Sequence, residues 1–495
     1  MDQTSRRYVD ENQYVHHRRD EELGRGGQGV VYRTMDADVA MKFVTDDQGN
    51  FLTEAAAIKK HQLIFKQVCL LPLPEGIDIA TPAAVLKDHA GYVMRLLSEM
   101  KPFSSFLYAD LETEETPAWL AESPEDTLEK ILGYRQTGGL RRRLTALHKS
   151  ASILARLHGA GLVYGDISPA NIYVSDLFIP GKPEETSVWL IDADNIRLES
   201  GPEITSEDIR LWTDPYGAPE LVQGKGKCRQ ASDCYSFAVL AFHLLADVHP
   251  FEGAKIFERG GDTDGLRPLD KAYAGYYPWI DDPLDQSNAL DSALNRDLVL
   301  TEELRLLFEV TFGDGRLSPE RRPTIYHWPE ALARSADLTI RCPACHMYYY
   351  DDLASPGPGR AACPYCRGPK PRILRLKAYP WPGPDLPPGA PVWCWAREID
   401  GHPALTVPER VFEAFSMTGA DNEQVRFVIS EKNILIEKDR GKKMFVSLDD
   451  PNSFEPLGSK LQLDRAAPNL HFWLLADSGS GPPRLVSCSI TGEPR

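Results

Sequence analysis

The run Tyr164-Gly165-Asp166-Ile167-Ser168-Pro169-Ala170-Asn171, followed by Leu190-Ile191-Asp192, constrains this chain more than any other stretch. An acid, an Asn five positions on, and a second acid closing an apolar strand supply a set of oxygen-bearing side chains. Oxygens of this kind suit a hard divalent cation such as Mg²⁺, and a neighbouring carboxylate can orient a hydroxyl or accept its proton. Singly, such residues also cap turns. Their surroundings argue for more than a turn. Leu144, Leu147, Ile153, Leu154 and Leu157 recur at helical spacing just upstream, and Gly159 to Gly161 ends that helix. The order is therefore a long helix, an acidic loop and a strand.

Nearer the N-terminus, Gly24, Gly26 and Gly29 form G-x-G-x-x-G, with Val31 two residues beyond. Glycines let the amides of a hairpin approach phosphate oxygens without a side chain in the way. The same pattern marks dinucleotide-binding turns, but the β-branched flank and the strand Val39-Ala40-Met41-Lys42-Phe43-Val44 at hairpin distance favour a sheet. Leu52 to His61 reads as a helix carrying Glu54. Val85-Leu86 and Tyr92-Val93-Met94 read as paired strands turning at Gly91, leading into Arg95 to Leu97.

These motifs resemble those of the eukaryotic-type (Hanks-type) protein kinases. Asp166 and Asn171 fit the catalytic loop H-R-D-x-x-x-x-N, Asp192 the first residue of D-F-G, and Val39 to Lys42 the strand V-A-I-K. Thr213-Asp214-Pro215-Tyr216-Gly217-Ala218-Pro219-Glu220 is similar to T-x-x-Y-x-A-P-E. Ser232 to Phe237 is similar to the D-x-W-S helix start, whose acid, here Asp233, braces the catalytic loop. Arg322 stands where the family pairs an Arg with the A-P-E Glu, here Glu220. The resemblance spans roughly residues 18 to 337 and implies an α+β, bilobal fold with a β-rich small lobe and a helical large lobe. It further implies ATP beneath Gly24, Gly26, Gly29 and Val31, with adenine at Ala40 and Met94. Lys42 would meet the α- and β-phosphates, oriented by Glu54. Asp166 would take the substrate hydroxyl's proton, and Asn171 and Asp192 would ligate Mg²⁺. A protein serine/threonine kinase is the expected activity.

Tyr164, Gly165, Ser168, Ala193 and Asp194 depart from the family pattern. Without an Arg at 165, phosphorylation at Thr205, Ser206 or Thr213 need not switch activity. Ser168 removes a positive charge from the transferring group, a loss of about 10²-fold by analogy with other electrostatic stabilisers. Two alternatives stay open: a nucleotide-binding pseudokinase scaffold, and a small-molecule phosphotransferase. The latter shares G-D-x-x-x-x-N but lacks a segment like Thr213 to Glu220.

Cys342-Pro343-Ala344-Cys345 and Cys363-Pro364-Tyr365-Cys366 give the C-x2-C-x17-C-x2-C spacing of a zinc ribbon. Four thiolates around a tetrahedral ion leave no open position, so a structural Zn²⁺ is expected, with disulfides or redox pairs as rival readings. The remaining cysteines, Cys69, Cys228, Cys234, Cys394 and Cys488, follow no framework, which suits a reducing, cytoplasmic setting. A net charge of −17 disfavours nucleic acid as a partner. The basic flank Arg367, Lys370, Arg372, Arg375 and Lys377 lacks interleaved aromatics and reads as a solvated face. No apolar run is long enough for a signal or a membrane span.

The expected division is a disordered leader over 1–17, a kinase-like domain over 18–337, the ribbon over 338–370, a Pro/Gly-rich linker over 371–392, and a β-rich accessory domain over 393–495. In that last part, Val425 to Ile429, Ile434 to Glu437, Met444 to Leu448, Phe472 to Leu475 and Leu485 to Ile490 read as strands of a small sandwich or barrel. The layout resembles bacterial kinases associated with a metal-dependent protein phosphatase and a von Willebrand-type domain protein in tellurite-resistance-like systems. That resemblance implies such partners beside a protein substrate.

Overall fold

The structure is a computed structural model describing residues 6–26, 29–108, 116–176, 186–200, 212–258, 265–351, 362–381, 383, 389–418, 421–438, 443–448, 453–458, 460–464, 470–476 and 483–491. Thr205 and Ser206 lie outside these residues, as do Gly27 and Gln28 within the glycine motif.

The small lobe is an antiparallel six-stranded sheet ordered β1-β2-β3-β4-β6-β5. Its strands are β1 (Arg6–Val9), β2 (Val15–Gly26), β3 (Gly29–Thr34), β4 (Val39–Phe43), β5 (Ala84–Val85) and β6 (Gly91–Arg95), with helix α1 (Ala55–Cys69) between β4 and β5. Alternation along β4 splits the lobe's apolar residues between two faces. Tyr8, Val30, Met41, Phe43, Leu86 and Val93 form one cluster. On the other side, Val44, Val85 and Tyr92 pack against Phe65 of α1. The expected leader over 1–17 is thus corrected, since the chain is in the sheet from Arg6 onward. Backbone pairing and a single buried ring, Tyr8, whose centroid lies 4.9 Å from that of Phe43, hold β1 there. The polar side chains around Tyr8 carry no apolar period from which a strand could be read.

The large lobe contains α2 (Ser104–Leu107), α3 (Glu125–Gln136), α4 (Gly139–Gly159), α5 (Pro219–Val222), α6 (Gln230–Ala246), α7 (Pro268–Tyr273), α8 (Arg296–Val299), α9 (Glu302–Phe312) and α10 (His327–Asp337). Leu140, Leu144, Leu147, Leu154 and Leu157 of α4 share a core with Phe237, Leu240 and Phe242 of α6, Phe308 and Phe312 of α9, and Trp328 of α10. Short strands carry the loops that matter. They are β7 (Met100–Pro102), β8 (Leu162–Val163), β9 (Ile172–Ser175), β10 (Val188–Leu190) and β11 (Arg197–Leu198). The acidic loop runs from β8 to β9, which pairs with β10, so Asn171 and Asp192 leave adjacent strand ends.

Strands β12 (Thr339–Arg341) and β13 (Tyr348–Tyr350) pair around the first Cys knuckle. Beyond the ribbon stand β14 (Ile373–Pro380), β15 (Trp393–Glu398), β16 (Ala404–Pro408), β17 (Glu423–Ile429), β18 (Asn433–Lys438), β19 (Met444–Ser447), β20 (Glu455–Pro456), β21 (Lys460–Asp464), β22 (His471–Ala476) and β23 (Arg484–Thr491). They build two antiparallel sheets, β15-β14-β23-β22-β19-β20 and β16-β17-β18-β21. Leu376, Trp395, Phe472 and Val486 of the first share one core with Val407, Phe427 and Ile436 of the second, as in a sandwich. The expected linker over 371–392 is corrected: its first part is β14, flanked on both sides by β15 and β23. The basic flank is likewise partly internal, because Lys370 and Arg375 both pair with the buried Asp351. Among the described residues, no helix is long and apolar enough to cross a membrane.

Candidate active site and cysteine cluster

Across the small-lobe sheet, Gly24 stands opposite Val31 and Gly26 opposite Gly29. Gly29 is a glycine for a steric reason, since a Cβ there would lie 2.3 Å from the Phe43 carbonyl oxygen. Gly24 and Gly26 face open space, so their packing would admit a side chain. Val31 pairs with Lys42, and Ala40 with Met94. Directly opposed residues share a face, so Val31, Ala40, Lys42 and Met94 line the same side of the sheet.

Asp233, on α6, fixes the acidic loop from beneath. Its carboxylate accepts hydrogen bonds from the Tyr164 amide at 2.7 Å, the Gly165 amide at 2.9 Å and His158 Nε2 at 3.0 Å. Gly165 has φ +95°, a region that favours glycine. The Tyr164 hydroxyl donates to the Ile191 carbonyl and reaches the Asn171 carbonyl at 3.3 Å, tying the loop to the strand before Asp192. Ion pairing of Glu220 with Arg322, at 2.7 and 2.8 Å, anchors the far end of the segment Thr213 to Glu220.

Asp166 is buried. Its Oδ1 accepts from the Thr213 hydroxyl at 2.9 Å and its Oδ2 from Asn171 Nδ2 at 3.0 Å. Burial pushes its carboxyl above the ordinary range, the Thr213 bond opposes this, and the charge on Asp192 adds to the rise. Because Asn171 spends its amide donor on Asp166, its Oδ1 is the atom left for a cation. Asp192 itself has left-handed backbone, φ 58° and ψ 48°. The Lys42 ammonium bonds Asp192 Oδ1 and also Asp194 Oδ2, the latter at 2.7 Å. Burial works against the charge on Lys42, yet the two carboxylates hold its pKa above the ordinary value. Asp194 Oδ1 is buried without a hydrogen-bond partner, as is the hydroxyl of Ser168, where the family carries Lys. Carboxylate and carboxamide oxygens beside a buried unsatisfied oxygen fit a hard cation.

Glu54 does not take the place expected of it. It is exposed at the N-cap of α1 and forms no ion pair with Lys42, whose carboxylate partners are Asp192 and Asp194. The reason is positional, since α1 starts at Ala55 and leaves Glu54 outside its inward face. Sequence reasoning singled out Asp194 as a departure and not as the partner of Lys42. Its signal was an acid two residues past Asp192, within reach of anything Asp192 touches. Thr213 was noted for phosphorylation, whereas its hydroxyl lies against Asp166.

The thiols of Cys342, Cys345, Cys363 and Cys366 lie within 4.8 Å of one another. Cys342 Sγ is 3.6 Å from Cys366 Sγ, and Cys345 Sγ is 3.7 Å from Cys363 Sγ. A tetrahedral ion with metal–sulfur bonds of about 2.3 Å sets sulfurs about 3.8 Å apart. The Ala344 and Gly368 amides each point at a sulfur at 3.4 Å, a bond that favours the thiolate. The two knuckles repeat each other, with His346 and Arg367 both at φ 62°. All four cysteines are free of disulfides.

No family model matches the chain. The chain is 38% identical over 100 residues to the serine/threonine-protein kinase PknL of Mycobacterium tuberculosis, covering 20% of this chain and 23% of that one. It is 27% identical over 289 residues to the DNA damage-responsive serine/threonine-protein kinase RqkA of Deinococcus radiodurans, covering 56% of this chain and 35% of that one. The serine/threonine-protein kinase pkn2 of Myxococcus xanthus is 30% identical over 115 residues, or 23% of this chain and 13% of its own length. The matches thus span about a third or less of these relatives. Together with the bilobal fold, the loop braced by Asp233 and the Glu220–Arg322 pair, these matches make the kinase-like region similar to bacterial serine/threonine protein kinases over part of their length.

Proposed function

We propose that this chain is an ATP-dependent serine/threonine protein kinase that transfers the γ-phosphoryl group to a protein hydroxyl. One observation carries the reading: Lys42, Asp166, Asn171 and Asp192, drawn from separate segments, form one bonded constellation. Lys42 contacts Asp192, the Ile191 amide bonds the Asn171 carbonyl at 3.0 Å, and the Asn171 side chain bonds Asp166. Such a set can do what phosphoryl transfer requires, which is mainly positioning and charge stabilisation. When bound, Mg-ATP supplies the electrophilic phosphoryl group and screens its charge.

The chain's own residues do the rest. Lys42 presents a fixed cation to the phosphates. Asn171 Oδ1 and the Asp192 carboxylate would hold the metal. Asp166 orients the incoming hydroxyl and accepts its proton, and the hydroxyl of Thr213, already 2.9 Å away, marks the distance at which a substrate Ser or Thr would donate. The cysteine cluster is a closed, structural Zn²⁺ site on this reading, because four thiolates fill a tetrahedral ion.

Intact-mass analysis of the purified chain after incubation with Mg-ATP tests the activity. Wild type should gain phosphoryl groups on itself or on a generic protein substrate. Asp166→Asn should lose about 10²-fold or more of that rate while still binding ATP. Binding without transfer by the wild type would replace the kinase with a nucleotide-binding scaffold.

A further inference from the structure

We infer that Asp194, not a residue of helix α1, is the carboxylate that positions Lys42 for the nucleotide. The inference rests on the reading that Lys42 meets phosphates. A Lys ammonium at the end of a flexible stem needs a fixed acceptor to hold one geometry. Helix α1 offers none: Ala55–Cys69 contains no Asp or Glu, and Glu54 is exposed at its N-cap. Asp194 sits on a 3-10 turn, Ala193–Asn195, immediately after Asp192, and this turn packs against α1. The turn is closed by the Ile196 amide bonding the Ala193 carbonyl at 3.1 Å, over a fully buried Ala193. From there Asp194 Oδ2 reaches Lys42 Nζ at 2.7 Å, and only 11% of its side chain is exposed.

The arrangement gives Lys42 two acceptors with separable duties. Asp192 can turn its carboxylate to a cation while Asp194 keeps Lys42 in place, since both anions leave the same short turn. In other kinases the carboxylate comes from a helix whose position controls the pair. Here the acceptor and the metal ligand leave one short turn, so the pair needs no carboxylate from α1. Asp194 is therefore a positioning residue that acts through Lys42.

Full-length wild type, Glu54→Gln, Asp194→Asn, Asp194→Gly and Asp194→Glu should be compared for Mg-ATP affinity by calorimetry. Their kcat and KM for ATP should be compared across a Mg²⁺ titration. Glu54→Gln should stay within about twofold of wild type. Asp194→Asn and Asp194→Gly should weaken ATP binding and kcat/KM at least about tenfold at saturating Mg²⁺, with Asp194→Glu recovering part of the loss. Near-isosteric Asp194→Asn keeps the comparison valid should Asp194→Gly not fold. Equal losses in Glu54→Gln, unchanged Asp194 variants, or a defect that excess Mg²⁺ cures would each overturn the inference, the last by making Asp194 a cation ligand. A wild type that binds ATP without transferring it would remove the kinase reading alone, because the affinities still decide the role of Asp194. A wild type that binds no ATP would remove both.

Discussion

Gly165 shows how one residue's backbone can exclude a family side chain. An Arg there would have to adopt φ +95°, at a cost of about 1–2 kcal/mol. Gly165→Arg should therefore lower the urea midpoint of the large lobe without creating a new phosphate switch. Asp233 carries a larger share of the site's order, because it accepts two loop amides and a histidine while almost fully buried. Asp233→Ala leaves those donors unpaired, each at about 1–3 kcal/mol, so it should unfold at markedly lower denaturant and lose activity with it. Spacing and resemblance pick out Lys42, Asp166, Asn171 and Asp192 as one group, and the structure has contacts linking them, an Asp233 bonded to the loop and a Glu220–Arg322 pair. The place of Glu54 is not legible in the same way, because sequence locates a helix but not the side of it that meets Lys42. Nor is the pairing of Asp194, which needs the distance between two strands far apart in the chain.

At the scale of elements, the turn after α6 holds a buried histidine that makes the large lobe sensitive to acid. His249 Nδ1 accepts from the Phe251 amide and its Nε2 donates to the Pro215 carbonyl, both at 3.3 Å, which requires the neutral ring. Burial depresses its pKa to about 3, and burial followed by the nearness of His249 depresses His243 to about 3 as well. An unfolded histidine titrates near 6.5. Between these values the unfolded chain binds protons that the native state excludes, so stability is present above about pH 6.5 and is lost as pH falls toward 3. For His249 alone the loss at pH 5 is about 2 kcal/mol. Urea unfolding at pH 7 and pH 5 should show it, and His249→Gln should flatten the dependence. Pro215 belongs to the segment that carries Thr213, so this loosening starts beside Asp166.

Element boundaries are unevenly legible in the sequence for a related reason. β17, β18, β19, β22 and β23 are short runs rich in β-branched, aromatic and other apolar residues between turn signals, which read as strands from sequence. β1, β2 and β14 do not, the first two because they bury little, the third because its charged Arg375 satisfies Asp351 from a stretch that reads as basic surface.

Over the whole molecule, the β-rich region is docked on the kinase-like lobe through buried charge. Asp337, at the end of α10, accepts from Arg410 Nε and Nη2 at 2.8 Å and from Trp393 Nε1 at 2.9 Å. Arg141 of α4 pairs with Glu398 at 3.0 Å, where burial opposes the carboxylate and Arg141 then holds its pKa far below the ordinary range. Removing one partner of a buried pair leaves the other uncompensated, at about 3–5 kcal/mol. Arg410→Ala should accordingly destabilise α10 together with the β-rich region, visible as a lower thermal midpoint. A chain cut after residue 370 should be poorly soluble, because Asp337 and Arg141 would lose those partners. Metal analysis of protein purified without chelator should find one zinc per chain, and stripping it should loosen the ribbon first.

The sequence alone determined which groups are available: the oxygen-bearing side chains, the cation on its strand, the thiols in knuckle spacing and the bilobal order of elements. Local spacing encodes these because each belongs to one loop, strand or turn. Tertiary structure decided which carboxylates bond Lys42, that residues from Arg6 belong to the sheet, and that the C-terminal region is fastened to α4 and α10. Those outcomes depend on contacts between segments far apart in the chain, where small differences in helix start and strand register choose among several available charges.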